Sequence, residues 1–155
     1  MLSLDELVKK FNFVPLVPEG GYVKEMHAGE VIAGRASYST ILYLMTPESY
    51  SNMHKLEDDE VWFYHDGPSV EMLLIYNDHS EIRVLGKDYE HGECPQILVP
   101  AGVWQGAHMK HPGEYTLVST SVVPAYDQKN FTLGSYDELK EKTTHLDLLK
   151  ELTKA

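Results

Sequence analysis

At 155 residues, with a formal net charge of -11 and one cysteine, the chain is sized for a single domain spanning residues 1–155. Its charge excludes nucleic acid, because neutralisation of phosphates by clustered Lys and Arg dominates such binding and no basic run is present. The lone Cys94 excludes an internal disulfide framework, and no apolar run reaches the ~18 residues needed to cross a membrane. No N-terminal stretch joins a basic region to an apolar core and a small-residue cleavage site, so the expected setting is reducing and cytoplasmic.

The first predicted element is a short helix from Ser3 to Phe11. Ser3 is placed to cap it, Glu6 stands three residues on, and Leu4, Leu7, Val8 and Phe11 recur at helical spacing. Pro15 and Pro18 end it. Short β-rich segments follow at Tyr22 to His27, Thr40 to Met45, Val61 to His65, Val70 to Asn77, Ile82 to Leu85, Gln96 to Val99 and Tyr115 to Val123. Turn residues punctuate them, among them Gly20-Gly21, Asp66-Gly67-Pro68, Gly86, Gly92 and Pro112-Gly113. No helix-length segment separates the strands, which favours an antiparallel all-β sandwich or barrel over parallel winding. Near the end, Ser135 and Glu138 repeat the capping pattern, and Leu139, Leu146, Leu149 and Leu152 predict a helical segment over about 135–152, broken near Thr143 and Thr144.

The stretch from His54 to Gly67 is the most informative. An intact site of its spacing reads H-x-H-x3-E-x6-G; here His54, Glu60 and Gly67 hold the pattern, but Leu56 stands where the second His belongs. A second segment, Pro100-Ala-Gly102-Val-Trp104-Gln105, follows the pattern P-x-G-x2-H with Gln105 in the place of the His. With Pro18-Glu19-Gly20-Gly21-Tyr22, Glu25, the strand from Ser39 to Tyr43, Leu85-Gly86 and Val123-Pro124, these pieces cover roughly residues 15–131 in order. The chain thereby resembles the cupin superfamily, and within it the cupin 5 branch, a domain of unknown function. The resemblance implies a double-stranded β-helix, the cupin jelly-roll barrel (RmlC-like), with short N-terminal and C-terminal helices. It also implies a homodimer and a small-molecule cavity at one mouth. It implies no reaction, since cupins include enzymes, storage proteins and regulators.

Strand alternation puts Glu60, Trp62 and Tyr64 on one face, and His54 and Leu56 on the face that the cupin pattern makes internal. A metal held by His54, Glu60 and Gln105 would lack two of the four ligands of the family, so no cofactor is expected; a divalent metal is the weaker alternative. Acid–base work is the stronger reading. A buried carboxylate has its pKa raised and a neighbouring imidazole opposes that rise, so His54 and Glu60 can exchange protons. Resemblance at superfamily level to metal-independent sugar-nucleotide 3,5-epimerases, which use a His base and a Tyr acid, makes Tyr43, Tyr64 and Tyr115 candidate partners of His54. Equally open is a hydrogen-bonded His54–Glu60 pair that orders the barrel mouth.

The candidate catalytic residues are therefore His54, Glu60 and Tyr64; the candidate ligand-binding residues are Tyr22, Glu25, Tyr43, Trp62, Trp104, Gln105 and Tyr115. Trp62 and Trp104 are either stacking walls or core filling, with Trp104 the better ligand candidate. Of the run Glu57-Asp58-Asp59-Glu60, only Glu60 has a pocket argument, and His108 with His111 reads as a surface pair. The functional expectation is a small-molecule-binding cupin, either an isomerase or epimerase of a carbohydrate-like ligand, a ligand-binding or sensor module without turnover, or a metal-dependent oxygenase or lyase.

Overall fold

A computed structural model describes residues 1–155. In chain order the elements are α1 (Leu4–Phe11), β1 (Val14–Pro15), β2 (Tyr22–Ala28), β3 (Val31–Ile32), β4 (Arg35–Ala36), β5 (Ser39–Met45), β6 (Ser51–Leu56) and β7 (Asp59–Asp66). Then come β8 (Val70–Ile75), β9 (Ser80–Leu85), β10 (Gln96–Val99), β11 (Trp104–Met109), β12 (Thr116–Val123), β13 (Phe131–Leu133), α2 (Tyr136–Leu139) and α3 (Leu146–Glu151). One sheet has the order β1-β2-β5-β12-β7-β10 and faces a second of order β13-β6-β11-β8-β9; β3 and β4 form a separate hairpin. Strands distant in sequence lie side by side, β5 with β12 and β6 with β11, as two wrapped jelly-roll halves require.

Every strand expected from alternation is present, and α1 has the expected bounds with Ser3 and Glu6 forming a full capping box. The break near Thr143 also stands, between a 3-10 turn at Lys140–Lys142 and α3. Alternation did not mark β6 and β11. Their burial patterns explain why: both strands are nearly continuously buried, so they lack the polar face that gives a period of two.

Helices cap the outer faces of both sheets, and α2 and α3 are the ones that cover β6 and β11. Leu7 of α1 packs with Phe13, Leu44 and Tyr115 in a cluster on the outside of the six-stranded sheet. On the other side, Leu139, Leu149 and Leu152 join Trp104 and Met53 outside the five-stranded sheet. Gly106 admits them, since a Cβ there would collide with Met53 Sδ and crowd Leu152. Between the sheets lie Tyr43, Trp62, Leu74 and Val118, leaving one end of the barrel open. No helix is long and apolar enough to cross a membrane.

Candidate functional site

The open end is a cavity of about 810 Å³, with β6 and β7 supplying its polar floor. His54 is 2% exposed, and its Nδ1 lies 2.8 Å from the Asn52 carbonyl. A carbonyl oxygen only accepts, so Nδ1 carries the proton and Nε2 is the atom left for chemistry. Phe131 stacks on the ring at 5.3 Å between centroids and 19° between planes, which holds the imidazole in place.

Glu19 faces that imidazole, with Oε1 3.6 Å from His54 Nε2. Its other oxygen accepts from Ser51 Oγ at 2.8 Å, while its backbone carbonyl accepts from both the Asn52 amide and Asn52 Nδ2 at 2.9 Å. Gly20 and Gly21 follow at φ +106° and +74°, and Tyr43 donates its hydroxyl to Gly20 O at 2.6 Å. A side chain at either glycine would strike Tyr50 O or the Tyr43 ring, so the double glycine is what lets Glu19 approach. Asn52 is the junction of this frame, since its Oδ1 also accepts from the Lys154 amide at 3.1 Å.

Across the floor, Glu60 Oε1 accepts from Gln105 Nε2 at 3.0 Å and Gln105 Oε1 accepts from Trp62 Nε1 at 2.9 Å. Indole N–H can only donate, which fixes the orientation of the amide. Burial pushes the Glu60 carboxyl above the usual carboxylate range; the Glu19 charge adds to this and the His54 imidazole opposes it. Tyr43 is held well above the ordinary phenol value, first by burial and then by the Glu19 charge. Thr120, 3% exposed and registered beside Trp62, has a hydroxyl that makes no well-formed hydrogen bond in the protein but lies close enough to the Glu60 carboxyl to oppose the rise that burial causes.

These residues do not fit a metal of the kind the family pattern implies. Leu56 offers no donor at the second-His position, both ends of the Gln105 amide are engaged, and no three His, Cys, Asp or Glu side chains are grouped to hold an ion. Gln105 lies in register with His54 and bonds to Glu60, but His54 bonds to Asn52 O, not to Glu60, so the expected His54–Glu60 hydrogen-bonded pair is replaced by a Glu60–Gln105–Trp62 chain.

The structure brings Glu25, Tyr43 and Trp62 to the cavity with His54 and Glu60, and separates the other candidates from it. Tyr64 shares the inner face of Trp62 but lies further along β7, where its hydroxyl donates to Gly67 O at 2.6 Å. Alternation fixes the face of a strand residue, and the cavity occupies only one end of that face. Trp104 precedes Gln105 in β11, so it points outward, against Leu139 and under the Lys55 ammonium at 5.0 Å. Tyr22 and Tyr115 also lie outward, in the cluster under α1, and Tyr115 donates to Leu2 O at 2.7 Å. None of Tyr43, Tyr64 and Tyr115 therefore presents a free hydroxyl to His54.

Sequence reasoning missed Glu19, Thr120, Phe131 and Tyr126, all of which line the cavity. The glycine pair beside Glu19 was the available signal, but it directed attention to Tyr22 and Glu25. His108 is paired with Glu71 at 2.9 Å, away from this cavity.

A family model described as the Cupin superfamily (DUF985) matches residues 5–134. An uncharacterized protein of Saccharomyces cerevisiae is 28% identical, over 89% of this chain and 79% of its own. Among solved structures, a protein of Shewanella oneidensis superposes with a TM-score of 0.91 at 28% identity, covering 99% of each chain. A hypothetical protein from Leishmania major gives 0.86 at 30% identity, covering 98% and 99%. The oxalate decarboxylase of Bacillus subtilis, at 13% identity and a TM-score of 0.58 over 79% of this chain and 30% of that one, shares the fold alone.

Proposed function

The chain belongs to the Cupin_5 (DUF985) family of the cupin superfamily, and from that premise we propose that it binds a small molecule in the cavity and isomerises or epimerises it by proton transfer. The observation that carries this reading is the tautomer of His54: with Nδ1–H tied to Asn52 O, Nε2 is a positioned base beside a buried carboxyl that burial inclines to keep its proton. Nε2 takes a proton from a carbon next to a carbonyl, and the electron pair moves to the carbonyl oxygen as Glu60 donates its proton there. The enol then turns over in the cavity, His54 Nε2 returns its proton to the opposite face of that carbon and the enol proton goes back to Glu60, which gives the epimer and needs no co-reactant. Glu60 takes the part that the family comparison gave to a tyrosine, because Tyr43, Tyr64 and Tyr115 donate to backbone carbonyls instead.

Incubation with a metabolite extract in D2O tests the reading. Mass spectrometry should detect deuterium entering one compound with wild-type protein and with Tyr64→Phe, but not with His54→Ala. Absence of any His54-dependent exchange would sink it. Ligand capture without turnover is the second reading, and the 3.6 Å approach of Glu19 to His54 Nε2 favours it, since an ion pair there occupies the lone pair that the base needs.

A further inference from the structure

We infer that the ligand of this cavity carries a positive charge, an ammonium on a flat or ring-shaped body. The inference rests on the reading of the cavity as a ligand site, but not on turnover. Carboxylates from four separate segments reach the cavity: Glu19 and Glu60 at the floor, Glu25 and Asp127 toward the rim. Opposite them stands one Lys or Arg side chain, Arg35, and it is already engaged. Its Nη1 and Nη2 donate to the Asp58 carboxylate at 3.4 and 2.6 Å, and its Nε donates to Ala125 O at 2.9 Å. Nη2 also donates to Ala125 O, so four of the five guanidinium N–H groups are in use.

A phosphate or carboxylate entering here would meet the Glu19 carboxylate set against the His54 imidazole, two more carboxylates toward the rim, and no free guanidinium or ammonium. Burying such an anion without a counter-charge is among the costliest placements in a protein. An ammonium finds the opposite. The Glu19 carboxylate attracts it, with Glu25 and Asp127 nearer the rim, and the aromatic rings of Trp62, Tyr43 and Phe131 line the same space, where a cation gains from a ring face. The Thr120 hydroxyl, on the inner face beside Trp62 and close to the Glu60 carboxyl, makes no well-formed hydrogen bond within the protein and so has bonding capacity to offer a ligand. Nucleotide-sugars, the ligands suggested by analogy with 3,5-epimerases, are disfavoured by the same charges; amino sugars and other amines fit them.

Three probes of nearly equal shape separate the possibilities: benzylamine, benzyl alcohol and benzoate, each titrated calorimetrically against the full-length protein at neutral pH. The expected result is that benzylamine binds at least about ten-fold more tightly than benzyl alcohol, corresponding to ~1.4 kcal/mol, and that benzoate does not bind measurably. Glu19→Gln or Glu25→Gln should lower the preference for benzylamine several-fold, two variants guarding against one that does not fold; Trp104→Phe, outside the cavity, should leave it unchanged. Binding of benzoate or benzyl alcohol as tight as that of benzylamine overturns the charge assignment while leaving the cavity reading standing. Failure of all three probes to bind overturns both. A preference indifferent to both carboxylate variants overturns this assignment alone.

Discussion

The two ends of β6 make opposite uses of the same kinds of side chain. At its start, Tyr50 donates its hydroxyl to Glu151, Lys154 pairs with Glu151 at 2.8 Å, and His108 nearby pairs with Glu71 at 2.9 Å. Acid, base and phenol there satisfy one another. Further along, His54 Nε2 faces the cavity with only a 3.6 Å approach from Glu19, and the Thr120 hydroxyl makes no well-formed hydrogen bond. Hydrogen-bonding capacity left over, rather than the presence of His, Glu or Tyr, is what distinguishes a place where a ligand can act from one that only holds shape.

Substitutions can break that contrast, and the largest effect should fall outside the cavity. Trp104→Ala removes a buried indole from the helix-covered side and should cost about 3–5 kcal/mol in urea unfolding while leaving cavity ligands bound as before. A loss of ligand binding larger than the loss of folded protein would put Trp104 back in the site. Gln105→Leu strips partners from Glu60 and Trp62 Nε1 and should cost about 1–3 kcal/mol for each buried group left unpaired. It should also move the Glu60 titration higher still, as followed by carboxyl NMR, since the Gln105 hydrogen bond works to lower it. Tyr64→Phe removes one hydroxyl bond to Gly67 O and should cost about 0.5–1.5 kcal/mol with no change in His54-dependent exchange.

The smallest effect is one of sign. Glu60 has its folded pKa raised above the ordinary value, so its contribution to stability is full below that value and is lost as pH rises through the folded one. Glu151 is the reverse: Lys154 and Tyr50 hold its carboxyl down, so its contribution is present above the ordinary value and is lost as pH falls through the depressed one. Glu60→Gln should therefore flatten the decline of stability on the upper side, and Glu151→Gln the decline on the acid side. Thermal unfolding across pH 3 to 8 reads both, and like-signed changes would show the two ends to be electrostatically alike.

Much of this was legible in the chain. Capping residues and alternation marked α1 and the half-exposed strands, and the spacing of His54, Glu60 and Gly67 marked the barrel family. The site was legible in part, because a motif names residues and a strand assigns faces, while position along the barrel is set by pairing. Tyr64 has the right face and the wrong depth; Trp104 has the right motif and the wrong face. Glu19 comes from a loop before β2 and is carried to His54 by Gly20, Gly21, Ser51 and Asn52, a convergence no spacing rule encodes.

Asn52 also bears on the order in which the molecule assembles. Its side chain is tied to Glu19, 33 residues upstream, and to Lys154, 102 residues downstream. Joining such distant points costs loop-closure entropy before any contact repays it, so a chain that has zipped its hairpins still lacks the Glu19 carboxylate that faces His54. Acid–base competence should then mature late on the folding pathway, and a refolding time course should recover secondary structure ahead of the His54 environment.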